Sequence, residues 1–176
     1  MPFFKEELKQ VKAFAFDVDG VLSSSVQNLS TDGNPIRTTN IKDGFAIVHA
    51  LKMQYPIVII SGGYTEEVRL RYEKLGIKDI YLGVKDKVEC LTDFLNLYGL
   101  KAENILFMGD DLPDYGVMKK VGVPVCPNDA VPEIRKLSKY ISDRNGGEGC
   151  VRDVIEQVLR AHNHWIGQEG TSLAAF

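Results

Sequence analysis

Phe14-Ala15-Phe16-Asp17-Val18-Asp19-Gly20-Val21 is a short apolar run that ends in two carboxylates and a glycine. An apolar, aromatic-rich run of this length reads as a buried strand. Side chains alternate faces along a strand, so a backbone that stays extended through Asp19 sends Asp17 and Asp19 to one side, where the chain leaves the sheet. Two acids so placed repel each other unless a cation or a proton lies between them. Asp and Gly are also common turn residues, so this stretch alone leaves an ordinary turn open.

On either side of it, apolar runs alternate with helical periodicities. A lead-in helix over 3–10 precedes a strand over 11–16. Further strands are predicted at Ile57-Val58-Ile59-Ile60, at 79–82, at 105–108, at 123–126 and near 140–142. The β-branched run at 57–60 has the pattern of a strand buried on both faces. Helices are predicted from 43 to 52, from 65 to 75 with Thr65 as cap, from 87 to 98 closed by Gly99, from 115 to 121, after Pro132, and from 151 to 161. This alternation predicts an α/β protein: a Rossmann-like, mostly parallel sheet with helices on both faces. Residues 23–41, folded around Thr31-Asp32-Gly33-Asn34-Pro35, read as a β-hairpin standing over the acidic pair as a flap.

The 176 residues suit one domain, 1–166, with 167–176 as a flexible tail. A hydrophobic content of 44% and a charged content of 26% are ordinary for a soluble globular chain. The formal charge of -3 gives no general affinity for nucleic acid. No apolar run approaches the roughly 18 residues that cross a bilayer, and the amino terminus lacks a signal-peptide pattern, so the expected address is the cytoplasm, away from membranes. Cys90, Cys126 and Cys150 are widely spaced and read as reduced thiols in apolar positions. His49, His162 and His164 are assigned no chemistry.

In such sheets ligands bind beyond the carboxyl ends of the strands. Four polar groups stand there: Asp17 with Asp19; Ser61 with Gly62 and Gly63; Lys87; and Asp110, Asp111 and Asp114. An all-oxygen acid set without His or Cys favours Mg²⁺. A hydroxyl beside two glycines suits a phosphate, and Lys87 adds positive charge. Acids, metal and phosphate grip together describe phosphoryl transfer.

The order Phe-Asp-Val-Asp-Gly-Val, Ile-Ile-Ser-Gly, a lone Lys, then Gly-Asp-Asp-x-x-Asp resembles the four motifs of the haloacid dehalogenase superfamily of phosphatases, over roughly residues 11–160. The resemblance implies that Asp17 is the nucleophile and Asp19 the general acid and base. It implies Mg²⁺ on the Asp17 carboxylate, the Asp19 backbone carbonyl and Asp110, with Asp111 and Asp114 orienting that shell. Ser61, the Gly62 amide and Lys87 would grip the transferring phosphoryl group.

The gaps between motifs leave no room for a cap domain. This plan resembles the capless subfamily that acts on phosphorylated keto-deoxy sugar acids, which Asn40-Ile41-Lys42-Asp43-Gly44, Gly146-Gly147-x-Gly149 and Val151-Arg152-Asp153 also match. The resemblance implies 3-deoxy-D-manno-octulosonate 8-phosphate, a lipopolysaccharide precursor, as substrate, with nine-carbon sugar acid 9-phosphates as the alternative. It also implies a homotetramer in which a neighbouring subunit covers the site. Arg71 matches a recurrent Arg and is the candidate for the sugar carboxylate. Gly63 and Glu148 depart from the octulosonate pattern, where a charged residue and an Arg are common, and both are expected to face the sugar. The resemblance implies that such carboxyl-terminal tails can reach a neighbouring active site, and Trp165 is apolar enough to dock, but the sequence does not assign residues 163–176 a role. A phosphoacceptor receiver module is the non-enzyme alternative; the second long apolar run ends in Ser61, where a receiver places its aspartate.

Overall fold

The structure is a computed structural model in which residues 2–167 are described; apart from Gly167, the expected tail lies outside the described residues. The main sheet has six strands, β1 (Ala13–Phe16), β4 (Ile57–Ser61), β5 (Asp79–Leu82), β6 (Ile105–Met108), β7 (Val123–Cys126) and β8 (Tyr140–Ile141). Their order is β5-β4-β1-β6-β7-β8, with every pairing parallel. The hairpin is a separate two-stranded ribbon, β2 (Asn28–Leu29) and β3 (Pro35–Ile36). The helices are α1 (Pro2–Glu7), α2 (Ile41–Lys52), α3 (Glu66–Lys74), α4 (Lys87–Tyr98), α5 (Tyr115–Met118), α6 (Pro132–Leu137) and α7 (Cys150–Ala161).

The period of two along each strand divides the interior into two layers. Phe14, Phe16, Ile57, Ile59, Leu106 and Met108 share one buried cluster with Ala46 and Ile47 of α2 and with Val154 and Val158 of α7. Ala13, Ala15, Val58, Ile60, Ile105 and Phe107 share the other with Leu91 and Phe94 of α4, Val117 of α5 and Ile134 of α6. Each large apolar side chain sealed in this way contributes roughly 2 kcal/mol of burial free energy, which makes the sheet a rigid base for the loops at its carboxyl edge. From β1 the chain runs outward to β4 and β5, then returns to the far side of β1 for β6. That reversal opens a crevice beyond β1, the position where such sheets bind ligands.

Several local expectations are corrected. The first strand begins at Ala13, not at residue 11. The hairpin pairs only Asn28 with Ile36 and Leu29 with Pro35. Ile41 belongs to α2, because the Asn40 side chain accepts from the Lys42 and Asp43 amides and starts the helix there. Thr65 occupies the cap position of α3 but makes no capping side-chain bond. The helix after Asp114 ends at Met118. By contrast, α4 runs as expected, with Asp86 accepting from two amides at its start and Gly99 left-handed at φ 62° after its end.

Trp165 is not an outward anchor. It is buried, with its ring edge-on to Phe45 and His49 and the Arg152 guanidinium 4.7 Å from its centroid. The three cysteines are free, with Cys126 and Cys150 buried. Among the described residues no helix is long and apolar enough to cross a membrane.

Candidate active site

The backbone does not stay extended through Asp19. The strand stops at Phe16, and the Val21 and Ser23 amides both donate to the Val18 carbonyl, closing a tight turn. The two carboxylates therefore part company. Asp17 is buried and faces Lys87, whose Nζ lies 3.0 Å from its Oδ2. Asp19 is half-exposed and faces the flap.

Lys87 opens α4 from beneath the carboxyl edge of the sheet and is itself buried. Its ammonium also donates to Asp114 Oδ1 at 2.7 Å. Asp114 is fully buried and its other oxygen accepts from the Asp110 amide at 3.1 Å, so it fixes both Lys87 and the turn that carries Asp110. Asp111 turns away: its carboxylate is exposed and caps the following turn by accepting from the Leu112 amide at 2.7 Å. Ser61, the last residue of β4, is buried and its Oγ accepts from the Gly63 amide at 3.2 Å. Asp17, Asp19, Ser61, Gly62, Gly63, Lys87, Asp110 and Asp111 line one cleft of about 310 Å³.

Gly20 admits Asp110 to this cleft. It sits at φ 79°, and a Cβ there would lie 1.9 Å from Asp110 Oδ2. Any other residue at position 20 would be strained and would also drive the carboxylate out.

The charge balance shows what the cleft calls for. Oxygens of Asp17, Asp110 and Asp114 lie within 4.8 Å of one another. Burial, aided by the Asp114 charge, pushes the Asp17 carboxyl up to about 8 against the pull of Lys87. Burial, with Asp114 and Asp111, pushes Asp110 up to about 7. Burial acts to lower the Lys87 pKa, but the Asp17 and Asp114 charges outweigh it and the net shift is upward. One ammonium does not neutralise three acids, and Asp114 is already engaged. The donors left for a cation are the Asp17 and Asp110 carboxylates, an all-oxygen set that fits Mg²⁺.

A pH test follows. An acid raised above its unfolded value keeps, in the fold, a proton that the unfolded chain has lost, so between about pH 4 and pH 8 the metal-free fold loses stability as pH rises. A divalent cation binds the ionised carboxylates. The rise in thermal midpoint produced by Mg²⁺ is therefore expected to be larger near pH 8 than near pH 5. Scanning fluorimetry with and without MgCl₂ at both values checks this, and a pH-independent shift contradicts it.

Two residues of the site were not visible in the sequence. Arg37, on the flap, donates from Nε to Asp19 Oδ1 and from Nη2 to Oδ2, both at 3.0 Å. Gln27, also on the flap, donates to Asp19 Oδ1 at 2.8 Å. The flap is held by its root, where the Thr38 amide donates to Ser23 Oγ at 2.9 Å and the Gly147 amide to the Val21 carbonyl at 2.8 Å. Arg71 lies outside the cleft of Asp17; its Nε donates to Thr39 Oγ1 at 3.2 Å in a neighbouring cleft between flap and α3. Glu148 lines neither. It stands with Lys42 and Arg152 on a third cleft beside α7, so within one chain it does not face the site.

A doubly wound parallel sheet whose carboxyl edge gathers buried acids, one lysine and a serine defines an α/β protein built to hold an anion together with a cation. Comparison with known proteins narrows the class. Residues 66–155 match the haloacid dehalogenase-like hydrolase family. The 3-deoxy-D-manno-octulosonate 8-phosphate phosphatase of Salmonella typhimurium is 32% identical over 98% of this chain and 92% of its own. A crystal structure of that phosphatase from Yersinia pestis superposes with a TM-score of 0.89 at 29% identity, covering 97% of this chain and 92% of its own. The one from Moraxella catarrhalis, in complex with magnesium ion, phosphate ion and KDO, gives 0.86 at 30% identity over 92% of each chain. This chain belongs to the haloacid dehalogenase-like hydrolases.

Proposed function

We propose that this chain is an Mg²⁺-dependent phosphatase of 3-deoxy-D-manno-octulosonate 8-phosphate, acting through an aspartyl-phosphate on Asp17. The observation that carries the reading is the buried Asp17–Lys87–Asp114 group at the end of the central strand, with Ser61 and Asp110 in the same cleft. The relatives named for this substrate support its extension to this chain.

In this reading an Asp17 oxygen attacks phosphorus and the sugar alkoxide leaves with a proton from Asp19. Asp19 then takes a proton from the water that attacks the aspartyl-phosphate, releasing inorganic phosphate and restoring Asp17. Lys87, the Ser61 hydroxyl and the Gly62 amide hold the phosphoryl oxygens, where fixed positive charge counts most in the transition state. The Asp17 and Asp110 carboxylates and the Asp19 backbone carbonyl would hold Mg²⁺, which would supply charge neutralisation to those oxygens. Asp114 keeps Lys87 and the Asp110 turn in place, and Asp111 braces the turn that follows.

The test is phosphate release by the purified protein with Mg²⁺ from octulosonate 8-phosphate and from nonulosonate 9-phosphates. A higher kcat/KM on the eight-carbon acid is expected. A win for the nine-carbon acid shifts the substrate to that second reading, which the departure of Gly63, in the cleft of Asp17, from the octulosonate pattern leaves open. Release from neither overturns the sugar-acid substrate.

The same reading places the protein in the cytoplasm, in lipopolysaccharide precursor synthesis, as a homotetramer whose flaps meet. Val26, Leu29 and Ile41 in and beside the flap are 83%, 71% and 81% exposed in the single chain, an apolar surface suited to a second copy. A monomeric mass by light scattering would exclude the tetramer.

A further inference from the structure

Two clefts meet at one side chain. Beside the cleft of Asp17 and Asp19 lies a second, of about 560 Å³, between the flap and α3. Its walls carry two arginines, Arg37 and Arg71, the hydroxyls of Thr38, Thr39 and Tyr64, and the carboxylates of Asp32 and Glu67. The two guanidinium groups suit a carboxylate, and the hydroxyls and acids suit the hydroxyl groups of a sugar. Arg37 belongs to this wall, yet its guanidinium is forked onto Asp19, with both bonds at 3.0 Å and the side chain only 12% exposed. Together with Gln27 it occupies both Asp19 oxygens.

Gly63 makes this fork possible. A Cβ at position 63 would stand 2.5 Å from Arg37 Nη2 and 3.0 Å from Asp19 Oδ2. Of the two residues that depart from the octulosonate pattern, Gly63 is thus the one that leaves room for the arginine.

We infer that Arg37 is a substrate-operated latch on Asp19, released when a carboxylate of the substrate, entering the cleft between flap and α3, takes over its guanidinium. The inference rests on the phosphatase reading above. A guanidinium fork fits one carboxylate at a time through its paired donors. While it grips Asp19, both carboxylate oxygens are held toward the flap by Arg37 and Gln27 and not toward the ester oxygen. The exchange trades one carboxylate for another, makes and breaks no covalent bond, and leaves Asp19 beside the reacting oxygen. Phosphomonoesters that lack a carboxylate leave the latch closed, so the choice of substrate is made in the chemical step as well as in binding.

The test compares octulosonate 8-phosphate with a hexose 6-phosphate, which has no carboxylate, on wild type, Arg37→Ala and Arg37→Lys. Arg37→Ala is expected to lower kcat/KM for the sugar acid about 30-fold, the worth of a charged hydrogen-bonded pair, through both KM and kcat. The same variant is expected to raise kcat for the hexose phosphate about 3- to 10-fold, as Asp19 is freed for proton transfer. Arg37→Lys should restore part of the sugar-acid rate. Equal losses on both substrates would make Arg37 a structural brace and overturn the latch alone.

Should Arg37→Ala fail to fold, Gly63→Ala reads the same quantity, because its methyl displaces the guanidinium. A narrowed preference supports the latch and an unchanged one overturns it. Aryl phosphate, whose phenolate leaves without a proton, checks the underlying reading. Wild type that hydrolyses neither it nor the sugar acid with Mg²⁺ overturns the phosphatase reading, and the latch with it.

Discussion

Asp17→Asn is expected to lower phosphate release by about ten-thousand-fold or more, the scale of losing a covalent nucleophile, and at the same time to raise the thermal midpoint of the metal-free protein. The two effects share one cause. Asp17 is buried beside Asp114, and that environment holds its carboxyl up to about 8, which means that its charge is disfavoured there without a cation. An amide of the same shape removes the charge. Lys87 keeps its 2.7 Å partner Asp114, so no ammonium is stranded. The gain should be largest near pH 8, where the wild-type carboxyl loses its proton. Adding Mg²⁺ should stabilise the variant less than the wild type, since one of its two carboxylate ligands is gone. Residual turnover above about one per cent of wild type would be incompatible with Asp17 as nucleophile.

How far such chemistry could be read from the chain depends on how local its signal is. The runs at 13–16, 57–61, 105–108 and 123–126 are apolar without alternation because both faces of the sheet are covered, and they were legible for that reason. The α4 boundaries were legible because Gly99 and the apolar spacing mark them locally. The flap was harder. Its strands are two residues each, exposed throughout, so no burial pattern sets their register. The start of α2 was misplaced because Asn40 and Ile41 read equally well as the end of an extended piece, and only the capping bonds of Asn40 decide.

The site divides in the same way. Asp17, Asp19, Ser61, Lys87 and Asp110 stand at strand or helix ends in a fixed order, and the cleft brings all five together. Asp17 and Asp19 were expected to share a side, but the turn at Val18 gives them different partners. Arg37 and Gln27 carried no signal, since a polar side chain on an exposed hairpin has no periodicity to betray a contact 18 or 8 residues away. An arginine on a flap that stands over an acid is the hint that was available. Glu148 was expected to face the sugar because it stands in the late glycine loop, at a position where the octulosonate pattern commonly has Arg. Its side chain leaves in another direction, onto the α7 cleft.

Lys87→Ala carries the second large effect, and it separates the two tasks of one ammonium. Lys87 is the only cation lining the catalytic cleft among the described residues, and it lies within 3.0 Å of two carboxylates that are almost wholly buried. Its loss leaves those acids with backbone amides but without a counter-charge, a change that costs about 3–5 kcal/mol when a buried pair is broken. For a chain of this size that corresponds to a fall in thermal midpoint of about 10 °C. Phosphate release should fall about a hundred- to a thousand-fold, because in the proposed mechanism the transferring oxygens lose a fixed positive charge. Mg²⁺ separates the two losses. It can neutralise Asp17 and Asp110 and so recover part of the stability, but it does not replace the hydrogen-bond donors of the Lys87 ammonium, so the rate should stay low. Melting curves and initial rates on the same samples, with and without MgCl₂, decide the matter. If Mg²⁺ restores rate and stability together, Lys87 serves only to hold the acids apart; if the variant melts with wild type, the buried pair contributes nothing to the fold.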